Sequence, residues 1–357
     1  LKWYTLAAEQ GHAVAQHNLG WIYANGEGVP QDYKIALKWY TLAAEQGDAQ
    51  AQHHLGVMHE RGRGVKKDNQ EAVKWYRKAA EQENPAGEYK LGLMYYDGHG
   101  VLQDHKEAVR WTRKAAEQDH AGGQYNLGVL YRDGQGVEKN FKEAVKWFQK
   151  AAEQGFLDAQ FNLGLIFSKG EKVEQDFKEA LKWYRKAAEQ GDQGAQYSLG
   201  VMYDFGRGVT QDYAEAVKWY RKAAEQGDSN AQYNLGVMYD NGEVVPENYV
   251  EAYKWANLAA ATGHEAAQKS KNILAKKMTP QQIAEAQRLS AAFKPRKETP
   301  NKADTGSAKR PGATSSQPDS FGSGFFVTSN GYFLTNQHVV NGARKVFVYS
   351  GSQRLPA

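Results

Sequence analysis

Apolar residues recur along the first part of the chain with the period of an α-helix. Ala15, Leu19, Ile22 and Tyr23 fall at i, i+4, i+7 and i+8, which places them on one face of a helix. A glycine, Gly20, stands in the middle of this pattern, where it costs about 1 kcal/mol relative to alanine. We therefore predict a helix whose backbone is approached closely by a neighbouring helix at this glycine.

The same pattern returns every 36 residues. Tryptophans keep this spacing without interruption, at Trp3, Trp39, Trp75, Trp111, Trp147, Trp183, Trp219 and Trp255. A series of glycines keeps it as well, at Gly20, Gly56, Gly92, Gly128, Gly164, Gly200 and Gly236. Such a period is the signature of a repeat protein in which each unit is one supersecondary motif.

Each unit also contains a start signal for a second helix. An Asp or Asn followed three residues later by Glu resembles a capping box; the pairs are Asp68 and Glu71, Asp104 and Glu107, Asn140 and Glu143, Asp176 and Glu179, Asp212 and Glu215, and Asn248 and Glu251. Asp32 lacks this partner because Ile35 stands in its place. The helix then runs through motifs such as EAVKWYRKAAEQ, in which we expect the tryptophan and the paired alanines to be buried.

Most of these second helices are followed by a glycine, which favours a sharp helix end. The glycines are Gly47, Gly155, Gly191, Gly227 and Gly263. Glu83 and Asp119 take this position in two units, where we expect a less sharply terminated helix.

One pair of helices cannot bury its apolar face alone, whereas stacked pairs form a continuous core. We therefore predict an all-α fold, a right-handed α-solenoid of 36-residue helix-turn-helix repeats. The motifs AQYNLGVMYDNG and EAVKWYRKAAEQG resemble the Sel-one-like repeat (SLR), a relative of the tetratricopeptide repeat. The resemblance covers residues 1–263, as half a repeat followed by seven helix pairs, and implies a protein-interaction scaffold that binds protein or peptide partners on its concave face.

The period breaks after Gly263. In residues 264–293, Thr279 followed by Pro280 reads as an N-cap and a first helical residue, and we predict capping helices that close the stack. Residues 294–320 are rich in Pro, Gly, Ser, Thr and Lys and nearly free of large apolar residues, which predicts a disordered linker.

Residues 321–357 follow a different pattern. The stretch GFFVTSNGYFLTNQHVV predicts two short strands joined by a turn at Asn330 and Gly331, and KVFVYS predicts a third strand. This segment resembles the beginning of a trypsin-like serine peptidase of the HtrA/Deg type, in which a GSGF hairpin precedes a TNxHVV segment that carries the catalytic histidine. The resemblance assigns to His338 the role of the general base of a Ser-His-Asp triad.

The resemblance also implies an incomplete catalytic unit. Only 19 residues follow His338, and they contain neither an Asp nor a Ser in a glycine-framed nucleophile motif. We expect a truncated barrel fragment that is inactive alone, within a longer parent protein that is a trypsin-like serine endopeptidase. The alternative is a pure adaptor or signalling scaffold without protease activity, and the sequence downstream would separate the two.

Charge and composition bear on the kind of partner. Residues 1–293 hold 36 Lys and Arg against 38 Asp and Glu, so the repeats offer no basic stripe for nucleic acid, whereas residues 294–357 hold 9 against 3. No apolar run reaches membrane-spanning length, and the absence of cysteine excludes disulfides and thiolate metal sites. We predict no cofactor and no metal. The resemblance to exported peptidases favours the bacterial periplasm or secretion.

Polar residues on the first helix of the repeats are the candidate binding residues. The recurrent asparagines are Asn18, Asn126, Asn162 and Asn234, here called the asparagine rung. An asparagine can donate to and accept from an extended peptide backbone, which suits recognition of a partner segment; a merely solvated rung is the alternative. His54, Lys90 and Ser198 interrupt the series.

The histidines of the repeats occupy two kinds of position, for which we favour structural roles over metal binding. His17 and His53 stand where other repeats have an aromatic residue that packs in the core. His12, His120 and His264 share a position between repeats with Asp48, Asp192 and Asp228.

Overall fold

The computed structural model describes residues 1–170, 173–242 and 247–296, together with four short strands further along the chain. The described part is an all-α solenoid of 17 helices: α1 Lys2–Glu9, α2 Ala13–Asn25, α3 Tyr33–Glu45, α4 Ala49–Arg61, α5 Asn69–Glu81, α6 Pro85–Asp97, α7 His105–Glu117, α8 Ala121–Asp133, α9 Phe141–Glu153, α10 Leu157–Lys169, α11 Phe177–Glu189, α12 Gln193–Phe205, α13 Tyr213–Glu225, α14 Ser229–Asn241, α15 Tyr249–Ala261, α16 Glu265–Lys277 and α17 Pro280–Ala292. We call α2, α4, α6, α8, α10, α12 and α14 the A helices, and α1, α3, α5, α7, α9, α11, α13 and α15 the B helices.

These helices divide between two compact units. The first comprises Leu1–Ala231 together with Pro295 and Arg296, and the second comprises Gln232–Lys294. None of the described helices is both long and apolar enough to cross a membrane.

The four strands form two antiparallel pairs. Strand β1, Phe326–Val327, pairs with β2, Phe333–Leu334, and β3, Phe347–Ser350, pairs with β4, Gln353–Pro356. The first three strands lie where the sequence predicts them, and the fourth was not predicted. The predicted turn residues Asn330 and Gly331 and the predicted linker beyond Arg296 lie outside the described residues.

The B helices from α3 to α15 begin at Asx caps, as predicted for six of them from the Asx–Glu pairs. The prediction of a reciprocal hydrogen bond, from the glutamate side chain back to the backbone of the cap residue, is wrong. Asp68 Oδ1 accepts from the backbone N–H of Gln70 at 2.9 Å and of Glu71 at 3.0 Å. The Glu71 carboxylate instead reaches forward along its helix to Lys74 Nζ at 2.7 Å, because a cation three residues on is the nearer partner. The complete box is seen at α17, where Thr279 and Gln282 satisfy each other's backbone N–H.

The B helices that lack the terminal glycine end as sharply as the others, so that expectation is wrong. Glu83 and Asp119 both adopt the left-handed conformation at φ 59°. The following amide, Asn84 N, then donates to Ala79 O at 3.1 Å, as Phe156 N donates to Ala151 O at 3.0 Å after a glycine. This backbone hydrogen bond holds the chain in the turn. It does so even though a positive φ is strained for a residue that carries a Cβ.

The mid-helix glycines lie against the partner helix, as predicted. A Cβ at Gly128 would stand 2.8 Å from the ring of Phe148, and one at Gly56 would stand 2.6 Å from the ring of Tyr76. Each A helix is therefore pressed against the B helix of its own repeat, and the glycine offsets its low helix propensity by allowing this contact.

The tryptophans of the B helices are less uniformly buried than predicted. Trp111 and Trp183 are buried, and their indole N–H groups donate to Glu107 and Glu179, each at 3.1 Å. Trp147 is only half-buried, because it packs at the margin of a core cluster, and Lys150 Nζ lies 4.7 Å from its ring. The fully buried aromatic residue of that helix is its neighbour Phe148.

Candidate interaction surface

The asparagine rung lies on the A helices and is not uniformly accessible. Asn18, Asn162 and Asn234 are half-buried. Asn126 is only 4% exposed, and its Oδ1 is buried without a hydrogen-bond partner among the described residues. As the structure stands, three of the four residues can be reached from solvent and Asn126 cannot.

Asn162 also contributes to the contact between neighbouring repeats. Its Nδ2 donates to the hydroxyl of Tyr125, in the preceding repeat, at 3.3 Å. Asn126 lies beside Tyr89 of the preceding repeat: burial raises the pKa of Tyr89, and the neighbouring Asn126 lowers that pKa by a smaller amount, but the Tyr89 hydroxyl has no hydrogen-bond partner among the described residues. Through Asn162, the asparagine rung therefore also links the A helices of neighbouring repeats, which the sequence pattern alone did not indicate.

The residues that interrupt the rung make contacts of their own. His54 stacks on His17 at 5.4 Å and on Tyr40 at 5.0 Å between ring centroids. Burial lowers the pKa of His54 to about 4, so the imidazole is neutral at pH 7. Lys90 Nζ pairs with Glu60 Oε2 at 3.0 Å, which leaves little net charge at that point of the surface.

His17 and His53 replace packing aromatics, as the sequence predicted. Their rings lie 5.8 Å from Tyr40 and 5.9 Å from Tyr76, and Phe161 lies at the same 5.8 Å from Tyr184 in a later repeat. Burial lowers the pKa of His53 to about 3, with a further contribution from His54. In the part of the chain that the structure describes, no group of His, Asp or Glu side chains is arranged to hold a metal ion.

The histidines between repeats serve as N-caps of the helices that follow. His120 Nδ1 accepts from Gly123 N at 3.0 Å and His264 Nδ1 from Ala267 N at 3.1 Å. Other repeats use Asp at this position, as where Asp48 accepts from Ala51 N at 2.7 Å. Because Nδ1 must be unprotonated to accept, burial suits this role by lowering the pKa of His120 to about 4. His12 makes no side-chain cap.

A row of buried glutamines, which the sequence analysis missed, fixes the A helices to the B helices. In Gln124, Nε2 donates to Ala116 O at 3.2 Å and Oε1 accepts from Gln154 Nε2 at 2.8 Å. The same link between glutamines joins Gln16 to Gln46, Gln52 to Gln82, Gln160 to Gln190, and Gln196 to Gln226. We call this row the glutamine ladder. The search for a 36-residue period that found the tryptophans would have found these glutamines as well.

The glutamine ladder has one acidic member. Glu88 is 1% exposed and takes the place of a glutamine, and its Oε2 accepts from Gln118 Nε2 at 2.8 Å. Burial raises the pKa of Glu88, while Lys114 and the hydrogen bond from Gln118 lower it and Glu83 and Glu117 add to the rise.

His338, the residue to which the peptidase resemblance assigns catalysis, lies outside the described residues.

The stacked helix pairs, close-packed glycines and buried polar ladder define a helical-repeat scaffold. The chain belongs to the Sel1 repeat family, whose model matches residues 1–12, 13–48, 49–84, 85–120, 121–156, 157–192, 194–228 and 229–264. Proteins of this family mediate protein interactions.

Solved structures of two bacterial proteins are similar to this chain. One is a protective antigen present in uropathogenic Escherichia coli strains that displays an SLR fold; it is 38% identical over 82% of this chain and 70% of its own, with a TM-score of 0.53. The other is a Sel1 repeat protein from Oxalobacter formigenes, 36% identical over 76% of this chain and 79% of its own, with a TM-score of 0.61. A search of curated proteins found no match.

Proposed function

We propose that this protein is an interaction scaffold whose A helices form the concave, peptide-binding face of the solenoid. The observation that carries the proposal is a row of half-buried aliphatic side chains on the A helices, three residues beyond the positions that hold either a rung asparagine or one of the residues that interrupt the rung. Its members include Val57, Leu93, Leu165 and Val201. Positions three residues apart share one face of a helix, so the aliphatic row and the polar rung lie side by side.

This combination suits an extended segment of a partner protein. The aliphatic row offers apolar contact area to the partner's side chains, and in the first unit the accessible amides of Asn18 and Asn162 offer both a donor and an acceptor to its backbone. Asn126 is not included in the contact surface, because its side chain is buried. Its part is to support the surface through its position beside Tyr89.

A selection of peptides from a displayed library against the full chain tests this proposal. We expect the selected peptides to bind at least tenfold more weakly to a variant of the protein that combines Asn162→Lys with Ser198→Lys on the A helices. The matched control combines Gln70→Lys with Ala214→Lys, which adds the same charge at exposed positions of the B helices and leaves affinity unchanged. Loss of binding in the control alone would reject the proposed face. Circular dichroism of both variants reports whether they fold.

We propose a second activity, peptide-bond hydrolysis, for the product of a gene that extends this sequence. Support comes from the GSGF and TNQHVV motifs around His338 and from the antiparallel pairing of β1 with β2, as a hairpin requires. The alternative remains an adaptor without protease activity. In any longer protein that contains this sequence and cleaves an unfolded protein, His338→Ala is expected to abolish the cleavage. Activity that survives His338→Ala rejects the peptidase assignment.

A further inference from the structure

An open cleft of about 470 Å³ lies in the second repeat, where α4 ends and α5 begins. Its walls include His59, Lys66, Lys67, Asp68 and Asn69. The backbone holds its two sides together, because the N–H of Asp68 donates to His59 O at 2.9 Å. Sites that bind small molecules usually enclose about 300–1,000 Å³, so this cleft, here called the α4–α5 cleft, is large enough for a ligand group.

The sequence of the second repeat explains why the α4–α5 cleft exists. In other repeats, one position near the end of the A helix and one at the start of the B helix both hold Tyr or Phe. The pairs are Tyr23 and Tyr33, Tyr131 and Phe141, Phe167 and Phe177, Tyr203 and Tyr213, and Tyr239 and Tyr249. Tyr23 and Tyr33 pack against the same core cluster. The second repeat has the smaller His59 and Asn69 at these positions, which leaves space that an aromatic pair would occupy.

The two replacements also bring polar atoms that lack partners. His59 Nδ1 and Asn69 Oδ1 are buried and have no hydrogen-bond partner among the described residues. A buried polar atom without a partner is unfavourable, and a ligand in the cleft could supply the missing hydrogen bond. Both side chains can donate to an anion, since an imidazolium donates from either nitrogen and asparagine donates from its NH₂ group.

Positive charge is concentrated at this repeat. Residues 61–67 contain Arg61, Arg63, Lys66 and Lys67, whereas the equivalent loops of the flanking repeats, residues 25–31 and 97–103, contain no Lys or Arg. Within the described residues these four cations make no ion pair. Arg63 lies over the ring of Tyr33, 5.3 Å from its centroid, and the two lysines line the cleft.

Of the side chains that line the cleft, Asp68 alone is acidic, and its carboxylate is already engaged. Its Oδ1 accepts from the backbone N–H groups of Gln70 at 2.9 Å and Glu71 at 3.0 Å. The first amides of α5 are therefore occupied by the cap and are not free to bind an anion. An anion in the cleft would instead be held by the side chains of Lys66 and Lys67.

We propose that the α4–α5 cleft binds the phosphate group of a phosphate monoester, through Lys66 and Lys67 together with His59 and Asn69. Such a group carries a charge of about −1.5 to −2 and three acceptor oxygens, which matches two ammonium groups and two further donors. A carboxylate has one charge and two oxygens and would leave donors unused. The proposal depends neither on the A-helix surface nor on peptidase activity.

Isothermal titration calorimetry of the full chain with inorganic phosphate tests the proposal. We expect saturable binding to a single class of site. Acetate at the same ionic strength is expected to bind at least tenfold more weakly. No saturable binding of phosphate, or equal binding of acetate, overturns the proposal.

Two variants locate the binding. Lys66→Gln with Lys67→Gln is expected to weaken phosphate binding at least tenfold. The matched control, Lys139→Gln with Lys142→Gln, removes the same charge at exposed positions of the fourth repeat, where the aromatic pair is present, and is expected to leave the affinity unchanged. Equal weakening by both variants would show general electrostatic attraction and overturns the proposal.

A variant that fills the cleft keeps all four cations. His59→Tyr with Asn69→Tyr restores the aromatic pair of the other repeats and is expected to abolish phosphate binding. Circular dichroism and melting curves report whether this variant folds like the native chain. Phosphate binding that persists undiminished in the folded variant overturns the proposal.

Titrations with free phosphoserine and with a phosphoserine peptide distinguish two sources of the phosphate group. Tighter binding of the peptide, lost in its unphosphorylated twin, supports the proposal and assigns a phosphorylated protein partner. Equal binding of peptide and free phosphoserine supports it and assigns small phosphate esters. Failure of both to displace inorganic phosphate overturns it.

Discussion

Single residues that depart from the repeat show what each position is for. His53 takes an aromatic position and keeps the ring contact with Tyr76, and His120 takes a capping position and keeps the acceptor. Both substitutions preserve a contact and require a neutral imidazole, and the lowered pKa of each histidine is consistent with that requirement. Such histidines are part of the packing, so their number in the sequence is no indication of a metal site.

Phe148 should matter more to stability than Trp147. Phe148 is fully buried against Gly128, so Phe148→Ala is expected to cost about 3–5 kcal/mol of unfolding free energy. Trp147 is half-buried, so Trp147→Ala is expected to cost clearly less, contrary to what the tryptophan series predicts. Denaturant unfolding of the two variants checks the order. A greater loss at Trp147 would mean that its marginal packing and its contact with Lys150 outweigh burial.

The tryptophans also show how far a period can predict burial. The 36-residue spacing placed each of the eight tryptophans of the series on a B helix, which fixes the side of the helix on which it lies. Exposure depends in addition on the side chains of adjacent repeats, which differ between Trp147 and Trp183 although the spacing does not. Periodicity therefore predicted the face of the helix on which each tryptophan lies and could not predict how deeply its side chain is buried.

At the scale of helices, local signals predicted the starts well and the ends less well. A cap is local, since Asp68 bonds to amides two and three residues on, and the sequence shows all of its partners. A helix end depends on whether the backbone can close its last turn, and Glu83 shows that this can outweigh the preference of a non-glycine residue for negative φ. The positions of the ladder glutamines were visible in the 36-residue period, but their pairing was not, because the two partners lie 30 residues apart.

The stability of the repeat that contains Glu88 should depend on pH. The folded-state pKa of Glu88 is raised by burial, so its contribution is most favourable when it is protonated and is lost as pH rises through that pKa. Glu88→Gln is expected to raise the melting temperature at pH 7, and the gain is expected to shrink as pH falls through the raised pKa of Glu88 toward the usual value for glutamate. Melting curves between about pH 4 and pH 7 measure this.

A reciprocal variant serves as the control for Glu88. Gln124→Glu places a carboxylate at the equivalent buried position one repeat later and is expected to lower the melting temperature at pH 7. A gain from Glu88→Gln that stays constant with pH would show that the carboxylate is ionised in the folded protein throughout the range.

At the scale of the whole chain, the repeats could be predicted because each contact recurs, whereas the accessibility of the candidate surface residues could not. The Sel1 repeat fold follows from a period that the family model also recognises. The asparagine rung mixes two roles, since Asn162 is half-buried and Asn126 is buried, and only the neighbouring repeat decides which role an asparagine has. Sequence alone therefore predicted which helices carry the candidate surface and not which of its residues are accessible.

The glutamine ladder should make the stability of each repeat depend on its neighbours and not on distant repeats. Gln160 donates to Ala152 O at 3.0 Å and accepts from Gln190 at 2.7 Å, so Gln160→Leu keeps most of the volume and removes both hydrogen bonds. We expect a cost of about 1–3 kcal/mol, because buried polar groups lose their partners. A solenoid's repeats contact only their neighbours, so hydrogen exchange should accelerate in α9 to α12 and stay unchanged in α2 to α4. Gln50→Leu, at an exposed position of α4, is the control and should alter neither region. Acceleration spread evenly over all repeats would instead show that the first unit unfolds as one cooperative block.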